Sequence, residues 1–165
     1  MSARDANLLG ALALALTDRL AATSPSGSAA EALVTLYDRG AGSSIDELAR
    51  VCALSHSGAV RLADRLAAGE VVERRRGADQ RSAALYLTPA GRRAARRILA
   101  GREAQMRAAM ALLTGDQQRQ LTEIAEVILA GLGAEPDAER RLCRLCDLDA
   151  CGRRRGECPV RGRKT

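Results

Sequence analysis

Aromatic residues are almost absent from this chain of 165 residues. Tyr37 and Tyr86 are its only two, and it has no Trp and no Phe. Proteins that bind single-stranded nucleic acid stack the bases on aromatic rings, and aromatic cages for cationic ligands use the same side chains. The composition therefore excludes both kinds of site.

Lysine is nearly absent as well, because Lys164 is the only lysine among 26 basic residues. Against 20 acidic residues the net charge is +6, and the isoelectric point is about 9.6. The planar guanidinium of arginine recognises phosphates and guanine edges in a two-pronged geometry. An arginine-rich basic chain predicts an anionic partner without specifying which one.

Long hydrophobic runs are missing too, since no stretch approaches the roughly 20 apolar residues of a membrane helix. Leu8 to Leu16 is apolar, but charges of both signs flank it and no small-residue cleavage site follows, so we do not expect a secretory leader. The 47% of hydrophobic and 28% of charged residues are typical of one folded core. We expect a cytoplasmic protein without a membrane partner.

Apolar spacing and capping residues predict a mainly α-helical fold with a small β-hairpin. Capping boxes of Ser28 with Glu31, Ser44 with Glu47 and Thr114 with Gln117, and single caps at Ser55 and Thr88, indicate where helices begin. The predicted helices are about 3–22, 29–39, 45–52, 56–68, 89–113 and 115–132. Two predicted strands, 71–74 and 83–87, flank a polar turn.

The order helix, short helix, capped helix and basic hairpin is typical of a winged helix-turn-helix, whose second helix of the pair enters the DNA major groove. Ser57, Arg61 and Arg65 are four residues apart, so they share a helix face opposite Leu62 and Leu66. This face has the chemistry for reading base edges. The alternative is that both arginines form ion pairs with Asp64. The candidate DNA-binding residues of this helix and hairpin are His56, Ser57, Arg61, Arg65, Arg75 and Arg76.

Several segments resemble the MarR family of transcriptional regulators. They include Leu54-Ser55-His56-Ser57, Asp64-Arg65-Leu66 and Gly69 to Arg74, followed by Asp79-x-Arg81 and Leu87-Thr88-Pro89-x-Gly91. The resemblance covers about residues 3–133. It implies a homodimer formed by the outer helices, with Arg81 entering the minor groove and Asp79 holding it. It also implies a small phenolic or lipophilic effector, which the sequence does not identify.

The resemblance divides the chain into four parts: a dimerisation helix (1–23), the winged helix-turn-helix (27–88), long dimerisation helices (89–133) and a tail (136–165). We expect a DNA-binding repressor with no enzymatic activity. The competing hypothesis is a thiol-redox or metal-carrier protein that acts through its tail, with the winged helix as an interaction module. The arginines of the hairpin argue against this second hypothesis.

The tail contains four of the five cysteines, Cys143, Cys146, Cys151 and Cys158, and the family pattern does not include them. Four thiolates complete a tetrahedral zinc site, and four cysteines that end in Cys-Pro also suit an iron-sulfur cluster. We favour zinc, one site per chain, with thiol redox sensing as a third possibility. The fifth cysteine, Cys52, is predicted to be a buried structural residue.

Overall fold

The computed structural model describes residues 2–22, 27–40, 42–76, 83–135 and 137–161. This part of the chain is mainly helical, with a small antiparallel sheet. Two 3₁₀ turns, Arg153–Arg155 and Pro159–Arg161, follow the last helix. The elements are α1 (Ala3–Ala21), α2 (Gly27–Arg39), β1 (Ser43–Ser44), α3 (Ile45–Val51), α4 (His56–Ala68), β2 (Val72–Arg76), β3 (Ala83–Leu87), α5 (Pro89–Met110), α6 (Gly115–Gly133) and α7 (Ala138–Leu142).

Side-chain caps start most of the helices where the sequence predicts them. The hydroxyls of Ser44, Ser55 and Thr88 each accept a hydrogen bond from the backbone amide three residues later. Thr114 and Gln117 form the complete reciprocal box. The predicted box of Ser28 and Glu31 is wrong, because α2 already begins at Gly27 and the Glu31 carboxylate pairs with the tail instead.

The sheet has the strand order β1-β3-β2, and all neighbours are antiparallel. The hairpin of β2 and β3 was predicted, although β2 begins at Val72 and extends to Arg76. The β1 strand was not predicted, because two serines carry no apolar alternation. It pairs Ser43 with Leu85 and so fixes the base of the hairpin against the helices.

The core lies between α2, α3, α4, α5 and the sheet. Its largest fully buried side chains are Val34 of α2, Leu48 of α3, Leu62 of α4 and Leu85 of β3. Burial of one such aliphatic side chain contributes about 2 kcal/mol. Ala95 and Ile98 hold α5 to the same core. The core therefore fixes the positions of α4 and the hairpin relative to each other.

A close backbone approach joins the hairpin to α5. The Thr88 hydroxyl donates to the Glu70 carbonyl at 2.7 Å, and the Thr88 amide donates to the Val71 carbonyl at 3.2 Å. A Cβ atom at position 91 would lie only 1.9 Å from the Val71 carbonyl oxygen, so Gly91 is required there. The Thr-Pro-x-Gly segment thus sets how the hairpin meets the long helix.

The two outermost long helices carry apolar faces that their own chain does not cover. None of the described residues of α1 or α6 is buried, and Leu14 and Val127 are 68% and 74% exposed. None of the described helices is long and apolar enough to span a membrane. The large exposed apolar residues on these helices are Leu8, Leu9, Leu12, Leu14, Leu121, Ile124, Val127, Ile128 and Leu132.

The chain after α6 turns back onto the helical core. Helix α7 packs against α3, and the turn Pro159–Arg161 packs against the end of α6. Gly133 allows the second contact, because a Cβ atom there would lie 2.9 Å from the Val160 carbonyl oxygen. Leu145 packs against the core itself. The tail is thus attached to the winged helix, and it carries almost no apolar core of its own.

Candidate nucleic-acid interface

Helix α4 presents its polar face outward, as the sequence predicts. Ser57, Arg61 and Arg65 are exposed, while Leu62 and Leu66 on the other face are buried. Neither arginine side chain has a hydrogen bond or an ion pair within the described ranges. Two adjacent guanidinium groups are therefore available for a ligand outside the protein.

The alternative partner of these arginines, Asp64, is already bound elsewhere. Its carboxylate accepts a hydrogen bond from Arg74 of β2 at 2.8 Å. This ion pair connects α4 to the hairpin and leaves Arg61 and Arg65 without the neutralising partner proposed above. The sequence alone did not reveal the pair, because its members lie ten residues apart on different elements.

The two helices of the helix-turn-helix are also linked at their first residues. The Nδ1 atom of His56, the first residue of α4, lies 2.8 Å from the carboxylate of Asp46 in the first turn of α3. Both side chains are exposed. The hydroxyl of Ser57 lies 3.2 Å from that of Ser55, the helix cap. His56 and Ser57 thus lie at the start of α4, beside its arginine face.

The hairpin carries positive charge on its first strand. Arg75 forms an ion pair with Glu73 at 2.5 Å and lies over the ring of Tyr86, 5.0 Å from the ring centre. Exposed stacking of this kind contributes about 0.5–1 kcal/mol and restricts the arginine fork. Arg76 is the last residue of β2. The predicted minor-groove residues Asp79 and Arg81 lie outside the described residues.

Several arginines also occupy the first turns of α5, next to the hairpin. Arg96 donates to the Tyr37 hydroxyl at 3.3 Å and lies over the same ring. Glu103, two turns further along α5, pairs with Arg107. The other arginines of this cluster are exposed, and they are Arg92, Arg93 and Arg97.

The four tail cysteines interact in two pairs, Cys143 with Cys146 and Cys151 with Cys158. The Cys146 and Cys151 thiols donate to the Leu142 and Leu148 carbonyl oxygens, each at 3.7 Å. None of them forms a disulfide. The hydrogen bond from Cys146 lowers the pKa of Cys143, burial opposes this, and Arg153 adds to it. The same hydrogen bond, followed by burial, raises the pKa of Cys146. Within the described ranges, no three His, Cys, Asp or Glu side chains already form a site that could hold a metal ion.

Ion pairs connect the tail to the helices and to itself. Arg144 donates to the carboxylate of Glu31 in α2 at 2.6 Å, and Glu31 is only 15% exposed. Arg153 pairs with Glu139 of α7, which also pairs with Arg161 at 3.2 Å. The tail therefore has a fixed place beside the first helix of the winged helix domain.

Cys52 lies apart from the tail cysteines, in the core at the end of α3. Burial, together with the nearby Glu31 carboxylate, raises the pKa of its thiol to about 12. A protonated, buried thiol is a poor nucleophile. The structure thus places Cys52 where the sequence analysis expected it.

Between the tail and the winged helix lies a cavity of about 790 Å³. Its lining combines ion-paired side chains with the Thr35 hydroxyl, which is buried and has no hydrogen-bond partner among the described residues. Asp38 also lines this cavity, and burial beside Asp147 raises its pKa to about 6. Sequence reasoning missed this cavity, because it depends on how the tail folds back.

Comparison with solved structures shows what this arrangement is: a winged helix fold of the kind found in MarR-family regulators. The YusO protein of Bacillus subtilis matches with a TM-score of 0.66 and 23% identity, over 78% of this chain and 97% of that one. The MarR-family protein Rv2887 of Mycobacterium tuberculosis matches with a TM-score of 0.62 and 24% identity, over 76% and 94%.

A third neighbour has a lower sequence identity but a similar fold. MepR of Staphylococcus aureus, a transcription regulator of the multidrug efflux pump MepA, matches with a TM-score of 0.67 and 14% identity, over 80% of this chain and 99% of that one. No family model and no curated protein sequence matches the chain. The described chain thus has the fold of two neighbours whose descriptions name a MarR family protein and a transcription regulator.

Proposed function

We propose that this protein is a homodimeric, sequence-specific DNA-binding repressor. The observation that carries the proposal is a pair of exposed arginines, Arg61 and Arg65, on the second helix of the helix-turn-helix, which have no partner among the described residues. Arginine binds guanine through two hydrogen bonds in the major groove, and each such contact contributes about 1–3 kcal/mol of discrimination. Ser57 and His56, at the start of the same helix, supply further contacts to bases or phosphates.

The exposed apolar faces of α1 and α6 support the homodimer. A single folded chain rarely leaves this many leucine, isoleucine and valine side chains in water, unless they form a contact surface. Pairing of these helices with those of a second copy would cover them. Two copies of α4 would then read half-sites about 34 Å apart, one turn of the double helix.

Binding affinity on selected duplexes tests the DNA-reading face. Duplexes that the wild-type protein retains from a random library serve as the probe. We expect Arg61→Ala and Arg65→Ala each to weaken binding by about 5- to 150-fold. Arg107→Ala, which removes an arginine near the far end of α5, is the matched control and should bind as the wild type does. Equal affinity of all three variants would disprove the role of the α4 face.

Sedimentation tests the homodimer, and a reporter assay tests whether the protein represses transcription. The double variant Leu12→Glu with Ile128→Glu places charges in both apolar faces, so we expect a monomer with greatly weakened DNA binding. Higher transcription from the bound promoter when the protein is absent would support a repressor, and lower transcription would make it an activator.

The cavity that is available for an effector has a polar wall. Rv2887 has been solved in complex with salicylic acid, and MepR with ethidium bromide bound. The cavity of about 790 Å³ between the tail and the winged helix has arginine and carboxylate side chains in its wall, and no aromatic ring is among its lining residues. Any effector that binds in this cavity is therefore expected to be polar rather than a flat hydrophobic cation.

A further inference from the structure

The four tail cysteines already meet in pairs without any covalent link. Cys143 interacts with Cys146, and Cys151 interacts with Cys158. Electrostatic interactions also couple Cys151 to Cys143 and to Cys146, so the two pairs are neighbours. Cys158 is the most buried of the four, with only 4% of the residue exposed. The fold thus gathers four sulfurs in one small region.

Tight turns bring the cysteines together. The Cys146 amide donates to the Cys143 carbonyl at 3.1 Å, which closes the first pair into a turn. Gly152 and Gly156 follow Cys151 with φ angles of 73° and 78°, in the left-handed region that favours glycine. These two glycines reverse the chain so that Cys158 returns to Cys151. Turns of this kind are typical of chains that wrap around one metal ion.

Little else in the tail explains why it folds. Ala138 and Cys158 are its only buried hydrophobic residues within the described range 137–161. A segment of this length loses about 1–2 kcal/mol of backbone entropy for each ordered residue, which exposed ion pairs cannot offset. A metal ion offsets that cost, because its binding free energy becomes folding free energy.

The surroundings match the charge of a thiolate site. One zinc ion with four thiolates carries a net charge of −2. The Arg153 guanidinium interacts favourably with Cys143, as Arg102 of α5 does with Cys146. Cationic donors to sulfur stabilise such a site and orient its ligands. Arg102 also connects the sulfur cluster to the long helix of the winged domain.

We propose that Cys143, Cys146, Cys151 and Cys158 bind one zinc ion per chain. Zinc bonds to sulfur are about 2.3 Å long, so four tetrahedral ligands lie about 3.8 Å from one another. An iron-sulfur cluster would hold its cysteines farther apart, around a larger core. Zinc binding requires the two neighbouring pairs to close onto each other, because within residues 137–161 no three of these side chains already form a metal site. The inference does not depend on DNA binding.

The first test is the metal content of the full-length protein purified without oxygen. We expect one zinc per chain by elemental analysis and a colourless solution, with a native mass increased by one zinc less the protons that it displaces. Co²⁺ added in place of zinc should give the intense absorption of a tetrahedral thiolate complex. Brown protein with iron and sulfide would overturn zinc in favour of a cluster. Metal-free protein that fails to bind added Zn²⁺ or Co²⁺ would overturn the site altogether.

Variants identify the ligands. Cys146→Ser and Cys158→Ser should each abolish the Co²⁺ spectrum and lower zinc content to near zero, while Cys52→Ala, in the core, should retain one zinc. Arg153→Ala should weaken zinc binding about tenfold, and Arg153→Lys should restore part of it. Arg154→Ala is the control for a nearby exposed arginine. Full zinc content in both serine variants, with unchanged circular dichroism, would contradict the assignment.

Discussion

The winged helix region (residues 27–110) and the tail (residues 137–161) are stabilised in different ways. The first contains nearly all buried hydrophobic side chains of the described chain, from Ala30 to Ile98. The second contains only two, Ala138 and Cys158. The first is an ordinary hydrophobic core, whereas the second is a set of turns joined by ion pairs and thiols.

This contrast shows how a small chain can add a segment without enlarging its core. Exposed ion pairs contribute about 0–1 kcal/mol each, so they orient the tail more than they stabilise it. The tail is held by its contacts with α2, α3 and α6, and by the zinc ion that we propose. The tail ion pairs are Arg140 with Asp137, Arg153 with Glu139, Arg154 with Asp149, Arg155 with Glu157, and Arg161 with Glu139.

The largest expected effect comes from a cavity in the winged helix core. Leu62→Ala removes a side chain that is 1% exposed, so we expect the free energy of unfolding to fall by about 3 kcal/mol. Leu142→Ala in α7 removes the same atoms from a half-buried position, and the expected loss is below about 1 kcal/mol. Urea denaturation followed by circular dichroism measures both. Equal losses would mean that the tail has a core as well packed as the winged helix.

An intermediate effect is expected at the border between the two regions. The pKa of Asp38 is raised to about 6 by burial and by Asp147, and Asp149 adds to this, while Arg154 and Arg153 oppose it. The folded protein therefore holds this proton more tightly than the unfolded chain does. The protonated Asp38 therefore stabilises the folded state relative to the ionised form. This stabilisation is complete below about pH 4 and is lost as the pH rises through 6.

Asp38→Asn removes the charge at every pH and isolates this contribution. At pH 7.5 we expect the variant to be more stable than the wild type by about 1–2 kcal/mol, and near pH 4 the difference should vanish. Thermal unfolding at a series of pH values measures it. Asp18→Asn, the same substitution at an exposed position of α1, is the matched control. A constant difference between Asp38→Asn and the wild type would contradict the titration of Asp38.

Most of the fold could be predicted from the sequence because its signals are local. The caps at Ser44, Ser55, Thr88 and Thr114 depend on residues three positions apart, and apolar periodicity defines the buried face of α4. The strand β1 carries no such signal, because its pairing with β3 depends on a partner some 40 residues away. The wrong cap at Ser28 shows the same limit, since the carboxylate of Glu31 pairs with Arg144, 113 residues later.

The same distinction between local signals and distant contacts applies to the candidate site. The arginine face of α4 follows from a spacing of four, and the structure exposes these residues as predicted. The ion pair between Asp64 and Arg74 occupies the carboxylate next to those arginines. It joins separate elements and was not predicted. The roles of Asp79 and Arg81 remain predictions from the family resemblance. The zinc site likewise remains a proposal, for which the structure adds the pairing of the sulfurs.

The smallest expected effect concerns one ion pair that joins the two regions. Arg144 of the tail and Glu31 of α2 form an ion pair in which the carboxylate is mostly buried and the guanidinium is 41% exposed. We expect Glu31→Gln and Arg144→Gln each to reduce the free energy of unfolding by about 1 kcal/mol, and the double variant to lose less than their sum. A double-mutant cycle by urea denaturation measures this coupling.

Hydrogen exchange then shows which region the ion pair holds. If it mainly fixes the tail, amides of residues 138–161 should exchange faster in the Arg144→Gln variant, while those of α4 and β3 should stay as protected as in the wild type. Arg140→Gln, which removes an ion pair within the tail, is the matched control and should leave α2 unaffected. Faster exchange throughout α2, α3 and α4 would mean instead that the tail supports the DNA-reading helix, because the two regions would then unfold as one cooperative unit.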